Sequence, residues 1–199
     1  MTTPGAARRA AADARRARRS EVHSVSIVIE AAAAFLAIRP RSVAETGRRL
    51  RHLGYPAALV AGALERLVEL GYLDDRAFAL AWVESRDRSR PRGALVLRRE
   101  LSLKGVPRPL IDAVLAEREA AHAVGVAMQD AAPGAAPGTS VDVAAAERLL
   151  ERRRAALERE PDPRRRRQRA YALLARHGFD PDVCTLVSAA AHGADLDGR

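Results

Sequence analysis

The chain has 199 residues, 48% of them apolar and only 4% aromatic, with a net charge of +9 and an isoelectric point near 11. That length holds one or two small domains, and Cys184, the sole cysteine, rules out an intrachain disulfide and fits a reducing, cytoplasmic compartment. No stretch reaches the roughly 20 apolar residues that a membrane-spanning helix needs.

The basic excess is almost wholly arginine, with Lys104 the single lysine. Guanidinium forks pair bidentately with phosphates and carboxylates, so the composition points to anionic partners. A GC-rich genome raises Ala and Arg together and accounts for part of the bias. Ala, Leu, Arg and Glu favour helix and β-branched runs are rare, so an all-α fold is expected.

Residues 1–24 read as a basic arm. The opening MTTPGAARRAAADARRARRS has little to bury and is expected to be disordered. It lacks the compact apolar segment of a secretion signal. VHSVSIVI at 22–29 leans towards β, either as a short strand or as an apolar lead into a helix over 29–38.

Then comes RPRSVAETGRRLRHLG at 39–54. Pro40 suits a first helical turn, Val43, Thr46, Leu50 and Leu53 share one face, and Gly54 is a helix stop. After Tyr55 and Pro56, a further helix carries Leu59, Val60, Ala63, Leu64 and Leu67 at helical spacing. GYLDDRAFALAWVESR at 71–86 follows. Gly71 ends a helix, Tyr72 and Leu73 anchor it, and Asp74 or Asp75 caps the next. The two carboxylates read as a cap and its neighbour, not as an acid/base or metal pair. Phe78 and Trp82 share a face with Ala81 and read as core in preference to base-stacking platforms.

Fifty-one residues after the first Arg-Pro-Arg, the sentence repeats as RPRGALVLRRELSLKG at 90–105, closing on Gly105. Val106 and Pro107 lead into Leu110, Ile111, Val114 and Leu115. An Ala/Pro/Gly-rich insertion or linker occupies 120–140, and its core is QDAAPGAAPGTS. Beyond it a helix over 144–157 precedes a third copy, DPRRRRQRAYALLARHG, in which Pro163, Arg164 and Leu173 match and Gly178 arrives one residue late. Phe179 and Pro181 follow, then Val183, Cys184 and Val187. The expected architecture is an elongated, right- or left-curving array of three tandem three-helix repeats at 25–73, 74–119 and 141–192, with a tail at 193–199.

Basic residues recur at the same place in each copy. They are Arg39, Arg41, Arg48, Arg49 and Arg51 against Glu45; Arg86, Arg88, Arg90, Arg92, Arg98, Arg99 and Lys104 against Asp87 and Glu100; then Arg164, Arg165, Arg166, Arg167 and Arg169. Stacked copies would present them as a discontinuous stripe, suited to a polyanion or an acidic surface and sensitive to salt. None of the five histidines has a metal-ligand spacing. His52 and His177 lie in last helical turns, where a cation favours the dipole. There is neither a phosphate-cradling GxxxxGK[ST] nor a GxSxG. No catalytic residue, metal or cofactor is expected, and the chain does not read as an enzyme.

GYLDDRAFALAWVESR followed by RPRGALVLRRELSLKGV closely resembles the RecX family of bacterial recombination regulators, and RPRSVAETGRRLRHLGYP resembles that family's first repeat. The likeness is continuous from about residue 31 to 119, and the third copy resembles the family's last repeat more weakly. The resemblance implies an elongated array of three three-helix repeats that binds RecA, above all the RecA filament on single-stranded DNA, along its groove. It implies restraint of ATPase and strand exchange, filament disassembly, and a role in recombination, DNA repair and the SOS response. On that reading the basic residues contact RecA or DNA, the protein can work as a monomer, and weak direct binding to single- or double-stranded DNA stays open. The alternative is a direct DNA-binding protein, nonspecific or like a helix-turn-helix. Its recognition helices would be 56–69 and 107–119, which are rich in Ala, Leu and Val, a poor composition for reading base edges.

Overall fold

A computed structural model describes residues 4–129 and 140–193. Its helices, in chain order, are α1 (Pro4–Ser20), α2 (Val25–Leu36), α3 (Val43–Leu53), α4 (Ala57–Glu69), α5 (Asp75–Ser89), α6 (Ala94–Lys104), α7 (Arg108–Gln129), α8 (Val141–Glu151), α9 (Arg154–Glu158), α10 (Pro163–Arg176) and α11 (Pro181–Gly193). The described residues contain no strand, and none of their helices is long and apolar enough to cross a membrane. The fold is the expected helical array; α2–α4, α5–α7 and α8–α11 follow the three sequence copies, the last with four helices where three were expected.

Two compact units emerge. One is Met1–Phe78 with Lys104–Val106, and the other is Ala79–Leu103 with Pro107–Arg199. In the first, Val28 and Ala32 of α2, Leu50 of α3 and Val60, Ala63 and Leu67 of α4 close on one another and on Leu73. In the second, Ala145, Ala146, Leu149 and Leu150 of α8 pack with Ala170 and Leu174 of α10, Phe179, and Cys184 and Val187 of α11. Leu97, Leu101, Ile111 and Val114 are also fully buried. Of these, Leu50, Val60, Ala63, Leu67, Ile111, Val114, Cys184 and Val187 are positions that helical spacing marks.

Five local expectations change or are decided. Residues 4–20 are helical, not disordered. Ala and Arg are both strong helix formers, and α1 is held by its cations: Arg16 Nη1 donates to His52 O at 2.9 Å, and the Arg19 guanidinium lies 5.8 Å from the Tyr55 ring centroid. The β-leaning 22–29 stretch enters α2, because Val28 and Ala32 recur at helical spacing and meet α3 and α4. Pro40 and Pro91 lie outside their helices. Ser42 starts α3 instead, with a capping box that its hydroxyl and Glu45 complete, and only Pro163 sits in a first turn. The helix expected over 144–157 breaks at Arg152 and Arg153 into α8 and α9. Helix α7 also runs through 120–129, so the expected insertion is helical there. Residues 130–139 and the tail from 194 fall outside the described residues.

Candidate binding surface

Each Arg-Pro-Arg segment is held at the N-terminus of a repeat's middle helix, where unsatisfied N–H groups need partners. In unit 1, Ser42 Oγ donates to Lys104 O at 2.6 Å and Val43 N donates to Asp75 Oδ1 at 2.9 Å. In unit 2 the matching residues meet the same two kinds of acceptor, with a backbone N–H in place of the serine hydroxyl. Gly93 N donates to His177 O at 3.1 Å, and Ala94 N donates to Asp142 Oδ2 at 2.9 Å. The carbonyl just before a stop glycine and a carboxylate at the start of another helix thus form one joint, used twice. Gly105 (φ +83°) and Gly178 (φ +81°) seat it. Both are left-handed, and a Cβ on either would strike Ala44 or Val96.

The joint divides the paired carboxylates. Asp74 Oδ1 caps α5, accepting from Arg76 N at 2.7 Å and Ala77 N at 3.0 Å, while Asp75 serves α3. Burial pushes the Asp75 carboxyl above its usual range, and the Val43 bond only partly opposes this. His177 does more than complement a helix dipole. Its Nδ1–H donates to Pro91 O at 3.2 Å, and burial, with Arg92, Arg153 and Arg176 nearby, pulls its pKa down. Phe78 is buried, as expected of core. Trp82 is half-buried, and its Nε1 donates to Glu100 Oε2 at 2.8 Å.

The candidate cations fall into two kinds. Several are engaged within the fold. Arg86 Nε meets Glu100 at 2.7 Å, Lys104 Nζ meets Glu45 at 2.8 Å, Arg39 meets Glu45 at 3.3 Å, and Arg98 meets Asp112 at 3.0 Å. Glu45 loses charge stability to burial, but Lys104 and Arg39 outweigh this and hold its pKa below the usual range. Arg166 Nε donates to Glu160 O at 3.1 Å, Arg48 Nη2 reaches Lys104 O at 3.4 Å, and Arg165 lies 3.6 Å from Asp162. Arg41 and Arg92, which occupy matching positions, are half-buried with no hydrogen-bond partner for Nε. Arg49, Arg88, Arg90, Arg99, Arg164 and Arg167 are exposed. Of the motif residues, Leu73 is buried while Tyr72 and Gly71 are exposed, and Gly54 (φ +102°) meets Arg16 of α1.

Two arginines that the charge pattern passes over matter structurally. Arg118 forks onto Asp87 and reaches Asp142, and Arg152 donates to the carbonyls of Ser89 and Arg88 at 2.8 Å each, closing the C-terminus of α5. No group of three or more His, Cys, Asp or Glu among the described residues is placed to hold a metal ion. The exposed chemistry is guanidinium chemistry, which binds anions.

Comparison with known proteins adds two family models, described as the second and third three-helix domains of RecX, which match residues 74–115 and 140–187. A regulatory protein RecX of Mycobacterium ulcerans is 33% identical over 167 residues, covering 82% of this chain and 84% of that protein. A regulatory protein RecX of Geobacillus kaustophilus is 41% identical over 83 residues, 42% of this chain and 31% of that one. The similar protein of Chlorobium phaeobacteroides is 38% identical over 92 residues, 46% of this chain and 61% of that one. These two matches span between about a third and three-fifths of the relatives' length. The crystal structure of RecX from Lactobacillus salivarius superposes with a TM-score of 0.65 at 19% identity, covering 86% of this chain and 97% of that chain.

Proposed function

Because the chain belongs to the RecX family, we propose that it is a regulator of homologous recombination and DNA repair that binds RecA and the RecA filament on single-stranded DNA and restrains ATP turnover and strand exchange. The match along 82% of the chain to one RecX protein carries the reading. Guanidinium groups recurring at matching positions of three repeats support it, since a filament presents its own repeated surface. Exposed Arg49, Arg88, Arg90, Arg99, Arg164 and Arg167 are the proposed contacts, because they can leave water for a partner without breaking an internal pair. Regulation of this kind works by binding, without catalysis by this chain and without a cofactor.

Direct sequence-specific DNA binding fits less well. Val60, Ala63 and Leu67 of α4 are buried, and its exposed face offers Ala57, Ala58, Ala61, Glu65 and Glu69, with Arg66 the one long donor. The test is the single-stranded-DNA-dependent ATPase of the cognate RecA, titrated with this protein at physiological salt. Inhibition at or below equal molar ratio is expected. Unchanged turnover at several-fold excess overturns the proposal.

A further inference from the structure

The three repeats treat one spot differently. Five residues before the shared proline and nine after it, the first repeat has Phe35 and Arg49, the second Arg86 and Glu100, and the third Glu158 and Ala172. In the second repeat the spot neutralises itself. Arg86 Nε donates to Glu100 Oε2 at 2.7 Å, Trp82 Nε1 donates to the same oxygen at 2.8 Å, and the guanidinium lies 4.3 Å from the Trp82 ring centroid. The third repeat has alanine where the other two carry a charge.

In the first repeat the ring is Phe35 and the long charges around it are positive. The Arg41 guanidinium lies 4.2 Å from the ring centroid and that of Arg49 lies 5.8 Å away. Glu45 is already taken by Lys104 Nζ at 2.8 Å and Arg39 Nη2 at 3.3 Å. Arg41 Nε has no hydrogen-bond partner. After the effect of burial, the charges of Arg39 and Arg49 lower the proton affinity of Arg41, and that of Glu45 opposes them. Like charges held this close store repulsion that an anion would relieve, and the ring holds the arginines ready.

We propose that Arg41 and Arg49, mounted on Phe35 with Arg39 beside them, form a phosphate-binding site on the first repeat whose ligand is a nucleic-acid phosphodiester backbone. A nucleic acid carries its charges on the main chain at short, regular intervals, so neighbouring guanidiniums can each meet a phosphate. An acidic peptide would have to order one flexible carboxylate stem for each arginine. The exposed Arg49 guanidinium also suits stacking by bases. The site deepens the regulator reading and rests on it for its setting, since single-stranded DNA carries the filament.

The test contains no RecA, so the site and the regulator reading can fail separately. Full-length chain is titrated into labelled oligothymidylate at several salt concentrations and followed by anisotropy. Arg49→Glu installs the residue that the second repeat uses at this spot. It is expected to lower affinity about tenfold or more and to reduce the salt slope by roughly one to two. The thermal midpoint should hold or rise, because Glu at 49 can pair with Arg41 as Glu100 pairs with Arg86. Arg66→Glu makes the same change in net charge on α4 and should alter affinity no more than about twofold. Equal losses in the two variants, or no loss in Arg49→Glu, would sink the site. Competition by oligoglutamate as strong as by unlabelled oligothymidylate would replace the phosphate ligand with an acidic protein and overturn the assignment.

Discussion

Replacing Arg118 with Met keeps the stem and removes a nearly buried charge from unit 2. Arg118 Nε and Nη2 each lie 2.8 Å from an Asp87 oxygen, and Nη1 lies 2.6 Å from Asp142 Oδ1. The arginine side chain is 7% exposed, and its partners 22% and 13%. Burial works against the guanidinium charge, yet the bonds to Asp87 and Asp142 outweigh it and raise its pKa. Without the cation, two carboxylates face each other in a half-dry site, and Asp142 must still serve Ala94 N at 2.9 Å. Removing one partner of a buried pair costs about 3–5 kcal/mol, and the partly wet Asp87 argues for the lower end, about 3 kcal/mol. For a chain of this size that is a fall in Tm of about 6–12 °C. Urea unfolding followed by far-UV circular dichroism measures it directly. Adding Asp87→Asn to the Met variant should recover part of the loss, since it removes one stranded charge. A cost below about 1 kcal/mol would place the network among ordinary surface pairs and refute the reasoning.

Three further outcomes are expected. Gly105→Ala should destabilise more than Gly71→Ala, because both are left-handed but only position 105 has a neighbour, Ala44, in the path of a Cβ. The strain alone is about 1–2 kcal/mol, and equal urea midpoints would contradict the close approach. Stability should fall as pH drops below about 6.5, because the unfolded chain then takes up a proton that burial denies His177 in the fold. His177→Gln should flatten that dependence in unfolding titrations across the range, and an unchanged slope would exclude His177 as the source. Reversing Arg98 and Arg99 to Glu together should weaken RecA inhibition with helicity intact. The loss of the exposed Arg98–Asp112 pair costs no more than about 1 kcal/mol, and full inhibition by the variant would remove this segment from the interface.

The repeat was readable because its signals are local. A proline, an apolar stripe and a stop glycine lie within a few turns of each other, and Leu50, Val60, Leu67 and Ile111 are buried where periodicity puts them. Helix α1 was hard to read because Ala and Arg signal both strong helix formation and a shortage of apolar surface. What holds it in place, Arg16 on His52 O and Arg19 on Tyr55, belongs to distant sequence. Charge is harder still. Arg86 and Arg99 look alike in a basic run, yet one is paired with Glu100 and the other is exposed. Arg118 attracts no notice until Asp87 and Asp142 come to it from 31 and 24 residues away. Asp74 and Asp75 were interchangeable as caps on paper, and only the arrival of Val43 N assigns them different duties.

The joint that holds α3 and α6 leans on the main chain. One copy uses the hydroxyl of Ser42 on the carbonyl of Lys104, and the other uses the N–H of Gly93 on the carbonyl of His177. Serine stands opposite glycine and lysine opposite histidine, the donor changes from a hydroxyl to an N–H, and a bond is still made because the accepting atom belongs to the peptide and not to the side chain. The side chains at the joint can therefore differ between the copies without losing it. What both copies share is a carbonyl in the right place, a carboxylate to meet the helix start, and a glycine small enough to let them close.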